Sequence, residues 1–160
     1  MPDWVTHIVI ALLIVELYPI QKKSLVLLGA ILPDLLPKLV LLRLFIPIPS
    51  IDYSFLSAFH TPFVLFLATL LLAPLFRYNY WRVVFWITIG TTSHFVADAL
   101  LQHFVGGVNL FYPVFLEHYT LNLVWPDQSY FILIPTIMVY LLVILYQKYK
   151  RVSGNVPRTA

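Results

Sequence analysis

The chain has 160 residues, of which 61% are hydrophobic and 11% charged, with a net charge of +3 and no cysteine. An ordinary soluble domain is about 25% charged, so a core of this size cannot hide the apolar excess, which must face lipid. The lack of cysteine excludes disulfides and thiolate metal sites, and no basic patch carries the interleaved aromatics that would suit nucleic acid.

A hydrocarbon core of about 30 Å is crossed by a helix of about 20 apolar residues. Five stretches approach that length: Trp4 to Ile20, Ser24 to Ile48, Phe55 to Phe76, Val83 to Val105 and Tyr130 to Tyr146. The first has no basic segment before it and no small-x-small cleavage site after it, so it reads as a retained helix and not as a signal peptide. In the second, Pro33 and Pro37 each remove a backbone donor and clash with the preceding turn. A break is expected there, with Asp34 inside it, surrounded by protein or a wet cavity. The expected fold is an all-α integral membrane protein. It has a single bundle of about five transmembrane helices over residues 1–147, the second broken near Pro33–Pro37, and a polar cytoplasmic tail over 148–160.

The loop charges orient this bundle. Lys22, Lys23, Arg77, Arg82, Lys148, Lys150, Arg151 and Arg158 fall on one side if five spans are counted, and Asp3, Asp52, Glu117 and Asp127 fall on the other. The positive-inside rule then gives a multi-pass plasma-membrane protein with its amino terminus outside and its carboxyl terminus in the cytoplasm. Trp4, Tyr53, Trp81, Trp125 and Tyr146 stand near the expected interfaces, as amphipathic rings prefer.

Within the apolar runs lie His7, Glu16, Asp34, Lys38, His60, His94 and Asp98. A carboxylate at mid-membrane costs about 2.5–3.5 kcal/mol, so such residues face the bundle interior and serve function by default. His94 and Asp98 are four apart, which places both on one helix face in a spacing suited to two ligands of one cation; Thr91 extends that stripe. In the outside-first topology His7, Asp34, His60, His94 and Asp98 come from four segments and share the outer half of the membrane. Three histidines and two carboxylates suit zinc, with manganese as a second divalent choice. Glu16 falls at the opposite end, and His103 lies off the His94 face.

Each residue alone has a blander reading. His7 could be interfacial, Asp34 a helix cap, and His60 a partner of a backbone carbonyl. His94 and Asp98 could form a structural pair or part of a proton relay. Lys38 could snorkel outward or neutralise Asp34. Their shared depth favours the metal reading.

Five ordered motifs strengthen it. They are Thr6-His7, Gly29-Ala30-Ile31-Leu32-Pro33-Asp34, Phe59-His60-Thr61, Ser93-His94-Phe95-Val96-Ala97-Asp98, and Gly107-Val108 leading to Tyr112-Pro113. Over residues 6–113 the chain resembles the YdjM-like membrane-bound metal-dependent hydrolases, which are LexA-regulated in some bacteria. The resemblance implies a hydrolase reaction class and metal binding at the matching His and Asp positions. Where that family often has Pro-Asp-x-Asp, Asp34 is followed here by Leu35, Leu36 and Pro37. Ser54 to Phe59 contains neither the Arg nor the additional His of the family pattern, and Thr61 replaces its Ser. These departures point toward a degenerate or one-metal site.

The expected function is a membrane-embedded metal-dependent hydrolase acting on a lipid-borne ester or phosphoester at the outer face. His7, Asp34, His60, His94 and Asp98 would be the ligands, and Asp34 or Asp98 the catalytic base. Lys38 or Arg43 could pair with a phosphate. Glu117 and His118, in the loop from Gly106 to Gln128, could complete a site, but an ordinary solvated loop is the favoured reading. Membrane lipid is the expected partner, and a second copy of the chain is another. One alternative is an ion- or proton-translocating protein, since buried Asp and His with a broken helix also describe such pathways. The other is a structural subunit in which the cluster ties helices together; such bonds average about 0.6 kcal/mol in one measured membrane protein, a small return for burying two carboxylates.

Overall fold

Proline and cap residues set where the helices begin and end. The computed structural model describes residues 4–18, 20, 22–39, 58–102 and 108–153. Among them are five α-helices and no strand: α1 (Trp4–Leu17), α2 (Lys23–Leu39), α3 (Pro62–Leu72), α4 (Tyr80–Leu100) and α5 (Tyr130–Val152). α1 stops just before Tyr18-Pro19, because the residue before a proline is pushed out of the helical region. α3 starts with Pro62 in its first turn and Thr61 as an extended N-cap, and a 3-10 turn at Ala73–Leu75 follows it. The Asn79 side chain caps α4 by accepting from the Arg82 N–H at 3.2 Å.

Two helices, α4 and α5, are long and apolar enough to cross a membrane by themselves; α1 and Pro62–Leu75 are apolar but shorter. The expected second and third spans run into residues 40–57, outside the described residues, as do Arg43, Asp52, Tyr53 and His103. α5 has no buried residue although it is strongly apolar, and Met138, Leu142 and Leu145 stand open on it. One flank of α5 packs on α1, and the apolar surface it leaves open suits lipid and not water. α5 continues to Val152, so Lys148, Lys150 and Arg151 belong to its last turns.

Contacts at both ends show that successive helices alternate in direction. At one end Glu16 pairs with Lys23, Gln147 Nε2 donates to the Glu16 carbonyl at 2.6 Å, and the Lys22 ammonium lies 4.5 Å from the Tyr78 ring. At the other end meet the start of α1, the end of α2, the turn before α3 and the end of α4. The basic residues of the first two of these connections thus gather at the end away from the buried His and Asp residues.

The central packing is α2 against α4, the most extensive helix pair in the bundle. Val26, Gly29, Ala30, Pro33 and Asp34 form the buried stripe of α2; Ile87, Gly90, Thr91, His94 and Asp98 form that of α4. The helices touch backbone to backbone. A Cβ on Gly90 would overlap the Val26 carbonyl and stand 2.8 Å from the Ala30 nitrogen; a Cβ on Gly29 would overlap the Ile87 carbonyl. Only glycine permits this approach.

The expected break at Pro33 and Pro37 is not found, because α2 runs unbroken from Lys23 to Leu39. Pro33 still cannot supply the N–H that would bond the Gly29 carbonyl. The Thr91 hydroxyl of α4 donates to that carbonyl at 3.2 Å instead. A neighbouring helix thereby satisfies the acceptor that the proline leaves, and the helix can continue. Thr91→Val is expected to lower stability by about 1–3 kcal/mol, the cost of an unserved buried acceptor. Thermal unfolding in detergent would show it, and an unchanged midpoint would mean that this bond is not needed to carry α2 through Pro33.

Candidate metal centre

Four chain segments bring five side chains to one end of the bundle. α1 buries a stripe of His7, Ala11 and Val15, spaced by four, so His7 faces inward beside Thr6. α2 delivers Asp34 one residue past Pro33, fully buried. His60 comes from the turn before α3 and not from within a helix, as the expected span had it, because Pro62 delays the helix start. α4 delivers His94 and Asp98 from one face, both fully buried.

Four donor atoms lie at the vertices of a compact figure. His60 Nε2 is 3.1 Å from His94 Nε2, 3.0 Å from Asp98 Oδ2 and 3.7 Å from Asp34 Oδ1. His94 Nε2 is 3.2 Å from Asp98 Oδ2 and 3.8 Å from Asp34 Oδ1. Atoms bound 2.0–2.2 Å from a tetrahedral zinc stand about 3.3–3.6 Å apart, so these separations are those of a ligand shell. His7 reaches the other Asp98 oxygen, with Nε2 at 3.5 Å from Oδ1, and stacks on His94 with ring centroids 3.7 Å apart.

The protonation pattern supports the same conclusion. His94 Nδ1 lies 2.7 Å from the Ala30 carbonyl, which can only accept, so Nδ1 carries the proton and neutral His94 presents a bare Nε2. That bare nitrogen faces two carboxylate oxygens and a second imidazole nitrogen. Among the described residues both His7 nitrogens and Asp34 Oδ1 are buried without a hydrogen bond. A bare nitrogen facing two carboxylate oxygens, beside a buried Asp34 Oδ1 with no hydrogen bond, is an arrangement that a cation would satisfy. The Ala30 carbonyl is also the outer partner that a metal-bound histidine needs to fix its tautomer and ring.

Lys38 completes the surroundings. Its ammonium pairs with Asp34 Oδ2, leaving Oδ1 toward the histidines, and lies 5.0 Å from the Trp4 ring. Lys38 thus neutralises Asp34 instead of snorkelling, one of its two expected roles. Glu16, at the far end, has Lys23 as its partner. Glu117 and His118 are exposed, Glu117 accepts from the Tyr119 hydroxyl at 3.2 Å, and neither joins the cluster.

Residues 108–124 cover the end of α4. The Leu121 N–H donates to the Ala99 carbonyl at 2.7 Å and the Leu123 N–H to the Leu100 carbonyl at 3.0 Å, while Thr120 Oγ1 donates to the Leu101 carbonyl. These bonds serve carbonyls that a helix end leaves without partners. Val108, held to Tyr119 by a pair of backbone bonds, packs with Leu65 and Phe95, and the Phe95 ring meets His60 edge-on at 5.3 Å. Sequence reasoning named the five side chains that meet here but not the Ala30 carbonyl, the Thr91 bond or this cover, which depend on contacts between distant segments.

Apolar helices around a buried histidine and aspartate group that could hold a metal ion define the class of this molecule. The chain belongs to the family described as YdjM inner membrane protein, whose family model it matches over residues 1–156. No curated protein and no solved structure matches it.

Proposed function

We propose that the protein is a multi-pass, membrane-embedded metal-dependent hydrolase that cleaves a lipid-borne ester or phosphoester, with zinc as its ion. In this reading the chain crosses the plasma membrane five times with its amino terminus outside, and the site opens at the outer face, away from Lys22 and Lys23. The observation that carries it is the set of five His and Asp side chains from four segments, with donor atoms 3.0–3.8 Å apart.

His60, His94, Asp34 and Asp98 would hold the ion, with His7 at its edge. A bound divalent ion supplies a water of lowered pKa and polarises the phosphoryl or carbonyl oxygen under attack. Asp98 is the better placed of the two carboxylates to accept the water's proton. It turns Oδ2 toward His60 and His94 and Oδ1 toward His7, so a proton taken at Oδ1 has His7 Nε2 3.5 Å away as its next holder. Asp34 has committed Oδ2 to Lys38. The apolar cover over residues 108–124 keeps bulk water from the buried side of the cluster.

Transport fits these positions less well. No acidic, basic or histidine side chain lies on α1 to α4 between the cluster and the opposite end, where Glu16 is already paired with Lys23.

Metal analysis of detergent-purified protein tests the proposal. Near-stoichiometric zinc or manganese is expected in the parent chain and none in a His94→Ala/Asp98→Ala double variant of matched folding. Absence of metal from both, even after reloading, would overturn the mechanism.

A further inference from the structure

Beside the metal cluster, an open groove of about 470 Å³ runs along the seam between α1 and α4. Ile10 and Ile14 of α1 face Phe85, Thr88, Thr92 and Val96 of α4 across it. Among the described residues its lining holds no charged side chain, and the hydroxyl of Ser93 is turned back to the Gly90 carbonyl at 2.7 Å. We infer that this groove binds one acyl chain of the lipid substrate and so positions the scissile bond at the His/Asp cluster. The inference rests on the hydrolase reading and adds to it a substrate-binding element on this chain.

Three observations favour this occupant. The first is position. Ser93 and Ala97 line the groove and are the immediate neighbours of His94 and Asp98 on α4, and Ile10 follows His7 by three residues on α1. One end of the groove therefore lies beside the metal-capable cluster, and the other reaches Phe85, toward the opposite end of α4. A lipid seated there would have its chain along the helices and its ester or phosphoester linkage at the cluster end.

The second is width. The 15 residue steps from Phe85 to Leu100 span about 22 Å along α4, so a volume of about 470 Å³ is drawn out into a long slot. A slot of that shape suits one extended methylene chain better than a helix about 10–12 Å across. The third is the division of charge. The groove is uncharged, whereas Lys38 stands at the cluster, partly exposed, where an anionic headgroup would be. An apolar slot leading to a few polar groups is the usual form of a ligand site.

Photolabelling of the full chain decides it. The protein is reconstituted in phosphatidylcholine vesicles containing a small fraction of phosphatidylcholine with a mid-chain diazirine, illuminated, and mapped by peptide mass spectrometry. α5 faces lipid and takes label too, so the expected result is denser label on the groove-lining residues of α1 and α4 than on α5. Thr92→Trp and Val96→Trp, both at exposed positions within the groove, are each expected to cut that label by about an order of magnitude, because they fill a slot one chain wide. Leu142→Trp, on the exposed face of α5, is expected to leave it unchanged.

Label no denser in the groove than on α5, or undiminished in both groove variants, would mean bulk lipid contact only and would overturn the inference. So would a dimer of the parent chain that Thr92→Trp dissolves, since a second copy would then fill the seam. Metal content measured on the same samples separates the two claims. Metal with unpatterned label leaves the hydrolase reading standing without the groove; patterned label in a metal-free protein leaves the groove without the hydrolase.

Discussion

Asp98→Asn is expected to abolish metal binding without lowering the stability of the metal-free protein. Asp98 stands within 3.5 Å of all three histidines of the cluster, at 3.0 Å from His60, 3.2 Å from His94 and 3.5 Å from His7. Asparagine keeps its shape but replaces a charged ligand with a weak neutral one. Losing an outer-shell partner already costs a site about 10–100-fold in affinity, so loss of this ligand should cost at least about 100-fold. The metal-free stability has the opposite logic. A fully buried carboxylate is costly to bury, and the amide removes that charge. The metal-free variant should therefore melt at or above the metal-free parent. Zinc at about 100 times its dissociation constant should stabilise the parent by about 2.7 kcal/mol and the variant by almost nothing. Thermal unfolding with and without added zinc, beside metal analysis, distinguishes a ligand from a structural ion pair. If the variant is destabilised equally in both conditions, Asp98 acts as a helix-binding group and not as a ligand.

Gly90→Ala is expected to weaken the fold and the metal site together. The added Cβ would overlap the Val26 carbonyl and come within 2.8 Å of the Ala30 nitrogen and 3.0 Å of the Gly29 carbonyl carbon, all of them backbone atoms with no rotamer to give. α2 and α4 must move apart, at the cost of about 1–3 kcal/mol typical of overpacking, or more since backbone is involved. These two helices carry Asp34 and the Ala30 carbonyl on one side and His94 and Asp98 on the other. A separation of even about 1 Å would spoil a ligand shell that tolerates roughly 0.2 Å. The expected result is a lower melting point together with reduced zinc content, measured beside Leu142→Ala, an exposed position on α5, as a control. Parent-like zinc content with a lowered melting point would separate helix packing from ligand geometry and contradict the coupling.

The histidines and aspartates of the cluster were legible one by one because a charge in an apolar run is costly and therefore conspicuous. His94 and Asp98 were legible as a pair because four residues make about one helical turn. The position of His60 was misjudged by hydropathy, which cannot see a helix boundary inside an apolar run, although Thr61-Pro62 is the signal of a helix start. Pro33 misled in the other direction. Proline breaks a helix when its freed acceptor has no other donor, and here Thr91, 62 positions from Gly29 in the chain, supplies one.

By itself the sequence determined that this chain is apolar enough to require lipid, that it is helical, and which residues could bind a cation. Those properties follow from composition and from local periodicity, each decided within a turn or two. Tertiary structure decided that the five residues converge, which nitrogen of His94 is bare, and that Lys38 serves Asp34. It also decided that Gly29 and Gly90 bring two backbones into contact. Donor separations of 3.0–3.8 Å between four segments depend on how the helices dock, and docking is a sum of long-range contacts that no local pattern contains.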